Sequence, residues 1–244
     1  MPSNNNISEE RQLPVKLERD LILDSVVEIR FVSTIAEDLV APKLFETIYK
    51  DFPHSKDVNV PPAGMRAMEP FKYAVTTSLH NNEFSIGFAS NSIVFNCVNG
   101  YKGWDKFFDL IKTYLYRFFS IGIFSEILRI GVRYVNVFEN TSDLSKHILL
   151  EINFNNIKEY TSLHTTLNLQ LKKKDCQFNL GIADTALVNG IPGSLLDIDV
   201  IKSDPGPTNF ENICSHIEQM HHEEKKLFIN ILHPDFLKTL GPTY

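Results

Sequence analysis

The feature that most constrains this chain is a change of hydrophobic period. Over much of its length apolar residues recur at every second position, and in two long stretches the spacing switches to that of a helix face. Val27, Ile29 and Phe31 share one face of a strand over Ser25 to Val32, with Glu28 and Arg30 on the other. A meander follows through Phe71–His80, Phe84–Phe88 and Ser92–Val98, with Asn81-Asn82 read as a turn tolerating positive φ and Ser90-Asn91 as the next turn. Trp104, Phe107, Phe108, Ile111, Leu115, Phe118 and Phe119 then form one wide helical stripe. The second half runs in the same order. Strands are predicted at Arg129–Phe138, Leu149–Phe154, Leu163–Leu171, Cys176–Ile182 and Leu195–Ile201. A last helix carries Phe210, Ile213, Cys214, Ile217, His221, Phe228 and Ile231 on one stripe. Apolar sheet faces and apolar helix stripes must bury one another. The expected fold is therefore α+β: an antiparallel sheet of about seven to nine strands with two long helices on one face, built from pseudo-repeats over about 25–120 and 129–232.

Local signals refine the boundaries. Thr34 with Glu37 and Thr208 with Glu211 match the capping-box pattern at two helix starts. Pro42 predicts a short turn followed by a helix from about 42 to 51. Pro53 to Pro70 reads as a loop, and Lys172-Lys173-Lys174 as a solvated hairpin tip. At the end of the chain, Pro234 stops the last long helix and Asp235 caps a final turn.

Size and charge exclude several classes. A 244-residue chain buries about 70% of its unfolded surface, enough for a core without staples. The polar, Asn-rich residues 1–12 read as a disordered lead-in to a single domain over 13–244. Hydrophobic residues at 43% and charged residues at 22% fit a globular chain. A net charge of -6 argues against nucleic acid as the main partner. Cys97, Cys176 and Cys214 are odd in number and widely spaced, and read as small buried hydrophobes rather than a disulfide or zinc framework. The N-terminus lacks the basic and apolar regions of a signal peptide. No apolar run approaches the ~20 residues that cross a bilayer. The expected location is cytoplasmic.

The most pointed stretch is Arg129-Ile130-Gly131-Val132-Arg133-Tyr134-Val135-Asn136. On a strand it sets Arg129, Gly131, Arg133 and Val135 on one face and Ile130, Val132, Tyr134 and Asn136 on the other. Two guanidinium groups flanking a glycine can fork a phosphate or carboxylate, with Gly131 admitting the ligand to the backbone. Asp197 and Asp199 carry carboxylates at the same alternate spacing. They can pair with Arg129 and Arg133 across the sheet, as can Glu28. The four residues are the candidate ligand-binding set, and both alternatives stay open. As metal ligands, Asp197 and Asp199 lack a third partner, and His216, His221 and His222 do not converge. His221, inside an apolar stripe, reads as a packed histidine satisfied by a neighbour. No phosphate-binding loop or catalytic triad is spelled out, so no catalytic residue, metal or cofactor is assigned.

Val26-Val27-Glu28-Ile29-Arg30-Phe31, Tyr101-Lys102-Gly103-Trp104, Arg129 to Asn136, Leu196 to Asp199 and the late helix with His221 and Phe228 together resemble a sporadically distributed bacterial family of uncharacterised proteins of about this length. The resemblance extends from about Leu13 to the end of the chain, and its central strand motif is the most specific part. It implies a bacterial or phage source, a cytoplasmic single domain and a place among accessory genes of defence or toxin–antitoxin type, with no catalytic residues to carry over. The function expected is a non-enzymatic binding protein acting through a protein partner or as a homodimer. The alternative is an anion- or nucleotide-binding protein or enzyme centred on Arg129 and Arg133.

Overall fold

The computed structural model describes residues 11–56, 73–141, 144–149, 165–188 and 191–244. In chain order its elements are β1 (Lys16–Leu17), β2 (Ile22–Ser33), α1 (Glu37–Ile48), β3 (His54–Lys56), β4 (Thr77–His80), β5 (Phe84–Phe88), β6 (Ser92–Cys97), α2 (Trp104–Ser120), β7 (Phe124–Glu139), a 3-10 turn at Leu144–Lys146, β8 (Thr166–Lys173), β9 (Cys176–Val188), β10 (Ile191–Ser203), α3 (Phe210–Ile231), α4 (Pro234–Thr239) and β11 (Pro242–Thr243). The class is α+β, as the alternating periods predict. Nine strands form one sheet in the order β3-β4-β5-β6-β2-β7-β10-β9-β8, with every neighbouring pair antiparallel. β1 and β11 form a separate two-stranded pair. Most of the loop expected over 53–70, the strand expected over 149–154 and most of the lead-in lie outside the described residues.

Alternation decides what faces inward. Val27, Ile29 and Phe31 of β2, Ile130, Val132 and Tyr134 of β7, and Leu196, Ile198 and Val200 of β10 are all buried. They join Phe107, Ile111, Leu115 and Phe118 of α2 and Ile213, Ile217 and Met220 of α3 in one continuous core. Burying a side chain of this kind contributes about 1.5–3 kcal/mol, so the rows fix the register. α3 lies against β7 and β10 and touches α2, which in turn touches α1.

Several local expectations are corrected. α1 runs unbroken through Pro42. Its buried residues Val40, Leu44 and Ile48 repeat every fourth position, and that burial offsets the hydrogen bond the proline cannot donate. Neither predicted capping box forms. Ala36 precedes α1 without a side-chain cap, while Thr34 donates to the Gly122 carbonyl. Asn209, not Thr208, caps α3 by accepting from Asn212 N, because the Thr208 hydroxyl instead accepts from Ile127 N. The final turn is capped by His233 rather than Asp235. At the β4–β5 turn, Asn81 works through its side chain, whose Oδ1 accepts from the backbone N–H groups of Glu83 and Phe84. Neither Asn81 nor Asn82 has positive φ.

β1 and β11 tie distant parts of the chain together. Leu17 stands opposite Pro242, and the Val15 amide donates to Thr243 O at 2.6 Å. Arg11 adds a donor to the Leu232 carbonyl at 2.8 Å, beyond the end of α3. Residues 11–22 therefore form a strap beside α3, and its position matters for the site below.

Candidate functional site

The four residues singled out on the sheet meet there, and they meet each other. Arg133 makes a two-pronged contact with Asp197, Nε to Oδ1 at 2.8 Å and Nη2 to Oδ2 at 2.6 Å. Arg129 donates to Glu28 across the β2–β7 pair and reaches Asp199 of β10 at 3.4 Å. Glu28 also accepts from Arg30 at 3.0 Å, and the Arg30 guanidinium lies 4.2 Å from the centre of the Tyr73 ring. The result is a ladder of alternating charge across three strands, on the sheet face opposite the core. Gly131 leaves room on this face, but its occupant is the Arg129 guanidinium, whose nearest atoms lie 3.4 Å from where a Cβ would stand. Burial lowers the Arg129 pKa and raises that of Asp199, while the bond to Asp197 raises that of Arg133. Arg129 is the more enclosed of the two arginines, at 19% side-chain exposure against 46% for Arg133.

A second constellation lies on the core side, at the meeting of the strap, the start of α2, β7 and α3. It encloses a cavity of about 170 Å³, room for a small organic molecule rather than a single water. Gly103 adopts a φ of +87°, a left-handed conformation suited to glycine, and turns the chain so that Trp104 begins α2 at the cavity wall. The Trp104 ring is sandwiched, with Phe108 at 5.0 Å on one face and His221 of α3 at 3.7 Å, nearly parallel, on the other. His221 Nδ1 is 3.2 Å from the Tyr134 hydroxyl, which lies 3.4 Å from the Tyr101 hydroxyl. The histidine is thus packed and satisfied by neighbours, and burial depresses its pKa to about 3. It is neutral at ordinary pH.

Glu224 is the residue that sequence reasoning missed. It lies on α3, lines the cavity and is only 5% exposed. Among the described residues, no group donates a hydrogen bond to its carboxyl, and no cation forms an ion pair with it. The neighbouring Lys225 donates to the Val15 carbonyl at 3.1 Å and acts on Glu224 through its charge alone. Burial pushes the Glu224 pKa up to about 8. Asn136, inward on β7, lines the same cavity with its Nδ2 buried and unpaired. A signal for Glu224 was present: a carboxylate three residues after His221 and four before Phe228 interrupts the middle of an apolar stripe.

Tyr101, Trp104, Tyr134, Asn136, His221 and Phe228 come together as walls of this one cavity. Among the described residues no cluster of three His, Cys, Asp or Glu is placed to hold a metal ion, and no helix is long and apolar enough to cross a membrane. No protein-family profile matches the chain, and no curated protein is a detectable relative.

Two predictions follow from these surroundings. Arg129→Ala takes the cation from Asp199 and leaves Glu28 with Arg30 alone, and should destabilise the fold by about 3 kcal/mol. Arg133→Ala, at an exposed pair, should cost no more than about 1 kcal/mol. Urea unfolding of the two variants measures the difference. The second prediction concerns pH. Folded Glu224 keeps its proton up to about 8, whereas its ordinary value is 4.5. Between those values the unfolded chain binds fewer protons, so stability falls as pH rises, by about 1.4 kcal/mol per unit. His221 works in the opposite sense at lower pH, because below its ordinary 6.5 the unfolded chain takes up a proton that the folded one refuses until about 3. From pH 6.5 to 8 the Glu224 effect operates without the opposing one of His221. Glu224→Gln should therefore gain about 2 kcal/mol on the parent chain over that window, measured by urea unfolding at both ends.

Proposed function

We propose that this is a small-molecule-binding protein whose ligand sits in the cavity between the strap, α2, β7 and α3. The observation that carries the reading is Glu224, a buried carboxyl at the cavity wall that takes part in no hydrogen bond or ion pair among the described residues. Burying an unpaired polar group costs about 1–3 kcal/mol, and such groups concentrate where a ligand supplies the missing partner. The unpaired Asn136 Nδ2 beside the same space supports the reading. A cytoplasmic location and a role in a bacterial accessory or defence system, implied by the resemblance, form its proposed biological setting. We also infer that the fold is a pseudo-repeat. β2 neighbours the last strand of the meander β4-β5-β6, just as β7 neighbours the last strand of β8-β9-β10, and a long helix follows each set. The cavity would then lie at the junction of the two halves.

An anion site at Arg129 and Arg133 has less support, since carboxylates of the chain already meet both guanidiniums. A protein partner, including a second copy, is favoured by one observation. β8 is an outermost strand of the described sheet, and Leu171 on it is 41% exposed, an edge open to strand addition.

Trp104 is the sole tryptophan of the chain and stands in the cavity wall, so its emission reports on occupancy. In a thermal-shift screen of small metabolites, a true ligand should raise the melting temperature by mass action and change Trp104 emission together. A screen in which no stabilising compound alters that emission would overturn the cavity reading. For the second reading, light scattering of the purified chain should give twice the 27.9 kDa mass, and Gln170→Pro, which removes an N–H aimed at the open edge, should return it to one. A monomer at all concentrations removes the homodimer.

A further inference from the structure

The cavity is uneven in charge and hydrogen-bonding capacity, and this limits what can fill it. Its most buried carboxyl is that of Glu224, which makes no hydrogen bond or ion pair among the described residues. The groups facing it come from every side: Lys16 and Asp20 from the strap, Tyr101 before α2, Tyr134 on β7, and His221 and Lys225 on α3 itself. Of the two lysines, Lys16 is exposed at the rim, and Lys225 is held by the Val15 carbonyl. The Tyr134 hydroxyl is engaged by Tyr101 and His221. Among the described residues no donor is thus committed to Glu224, while Leu21, Ile22 and Phe228 supply apolar wall.

We propose that the ligand is a small organic cation, a protonated amine with a compact apolar body, whose N–H groups donate to Glu224. This rests on the cavity reading above and names its ligand class. An ammonium group supplies both the hydrogen bonds and the charge that the carboxylate lacks, and charge-assisted bonds of this kind are about twice as strong as neutral ones. An anion would meet the charge of Asp20 and hold Glu224 to its proton, while a neutral alcohol gains a hydrogen bond without any pairing of charge.

One consequence separates the cation from every other ligand. At neutral pH Glu224 holds a proton, and a bound ammonium favours the carboxylate, so binding releases that proton to solvent. Affinity for a cation should then rise with pH up to about 8, by nearly tenfold per unit, and level off above it.

The test uses the full chain with cyclohexylamine, cyclohexanol and cyclohexanecarboxylate, which share a ring and differ in charge. Titration of Trp104 emission at pH 6, 7 and 8 should show binding of the amine, tightening with pH. Calorimetry in buffers of different ionisation heat should show close to one proton released at neutral pH. Glu224→Gln should weaken the amine by at least about tenfold and abolish the pH dependence. Glu223→Gln, at a residue outside the cavity that pairs with Lys173 of β8, should leave both unchanged. If the alcohol or the carboxylate binds as tightly as the amine, or Glu224→Gln binds the amine unaltered, the cation assignment is overturned while the cavity reading stands. If none of the three perturbs Trp104 but an uncharged or anionic compound from the screen does, the assignment falls in the same way. If neither these probes nor the screen perturbs Trp104, the cavity reading itself has failed. Proton release in the native chain is independent of any substitution, so a misfolded variant would not decide the matter.

Discussion

The pairing of β2 with β7 at the centre of the sheet is the interaction on which the rest depends. It runs from Ile22 opposite Asn136 to Ser33 opposite Phe124 and joins the two sets of strands that flank it. Its two faces are chemically incompatible, which makes the register close to absolute. Slipping β7 by one residue would turn Arg129 and Arg133 into the core and carry Ile130 and Val132 into water. Arg129 strengthens the arrangement because it touches carboxylates on both neighbouring strands, Glu28 on β2 and Asp199 on β10. It therefore acts as a cross-brace over three strands rather than as one rung of a ladder.

The inward row of β7 changes character along its length. Ile130 and Val132 are plain hydrophobes, but Tyr134 and Asn136 bring polar tips into the same layer. The facing helix changes in step, since Ile213 and Ile217 give way to His221 and Glu224. Where the two apolar stretches meet, packing closes the core. Where the two polar stretches meet, the hydroxyl–imidazole contacts use up part of the hydrogen-bonding capacity and leave a void. The cavity is thus a place where both surfaces stop being purely apolar at the same level, with Trp104 wedged across the gap against His221.

Much of this was legible in the residue pattern and some of it was not, for identifiable reasons. The alternation in Val27, Ile29 and Phe31, and the helical spacing from Trp104 to Phe118, locate their elements because burial energy dominates there. Equal spacing on two strands made the pairing of Arg129 and Arg133 with Asp197 and Asp199 readable as one of two alternatives. The helix starts were misread because a threonine hydroxyl has several possible partners. Only the fold reveals that Thr208 is taken by Ile127 of a distant strand. Glu224 was overlooked for a related reason: on a helical stripe one charged residue reads as its edge, and only the arrival of β7 and the strap puts it inside. The members of the cavity come from segments more than a hundred residues apart, and no local spacing records that meeting.

The strap has a consequence for how the molecule comes to be finished. One wall of the cavity, Val15 to Ile22, is held by β11 and by the carbonyls at the end of α3, so residue 17 waits for residue 242. Closing so long a loop is entropically expensive and comes late unless earlier contacts have already brought its ends together. The sheet and both long helices can form without that clasp, whereas the cavity cannot. The binding compartment therefore depends on a contact between the two ends of the chain that the sheet itself does not need.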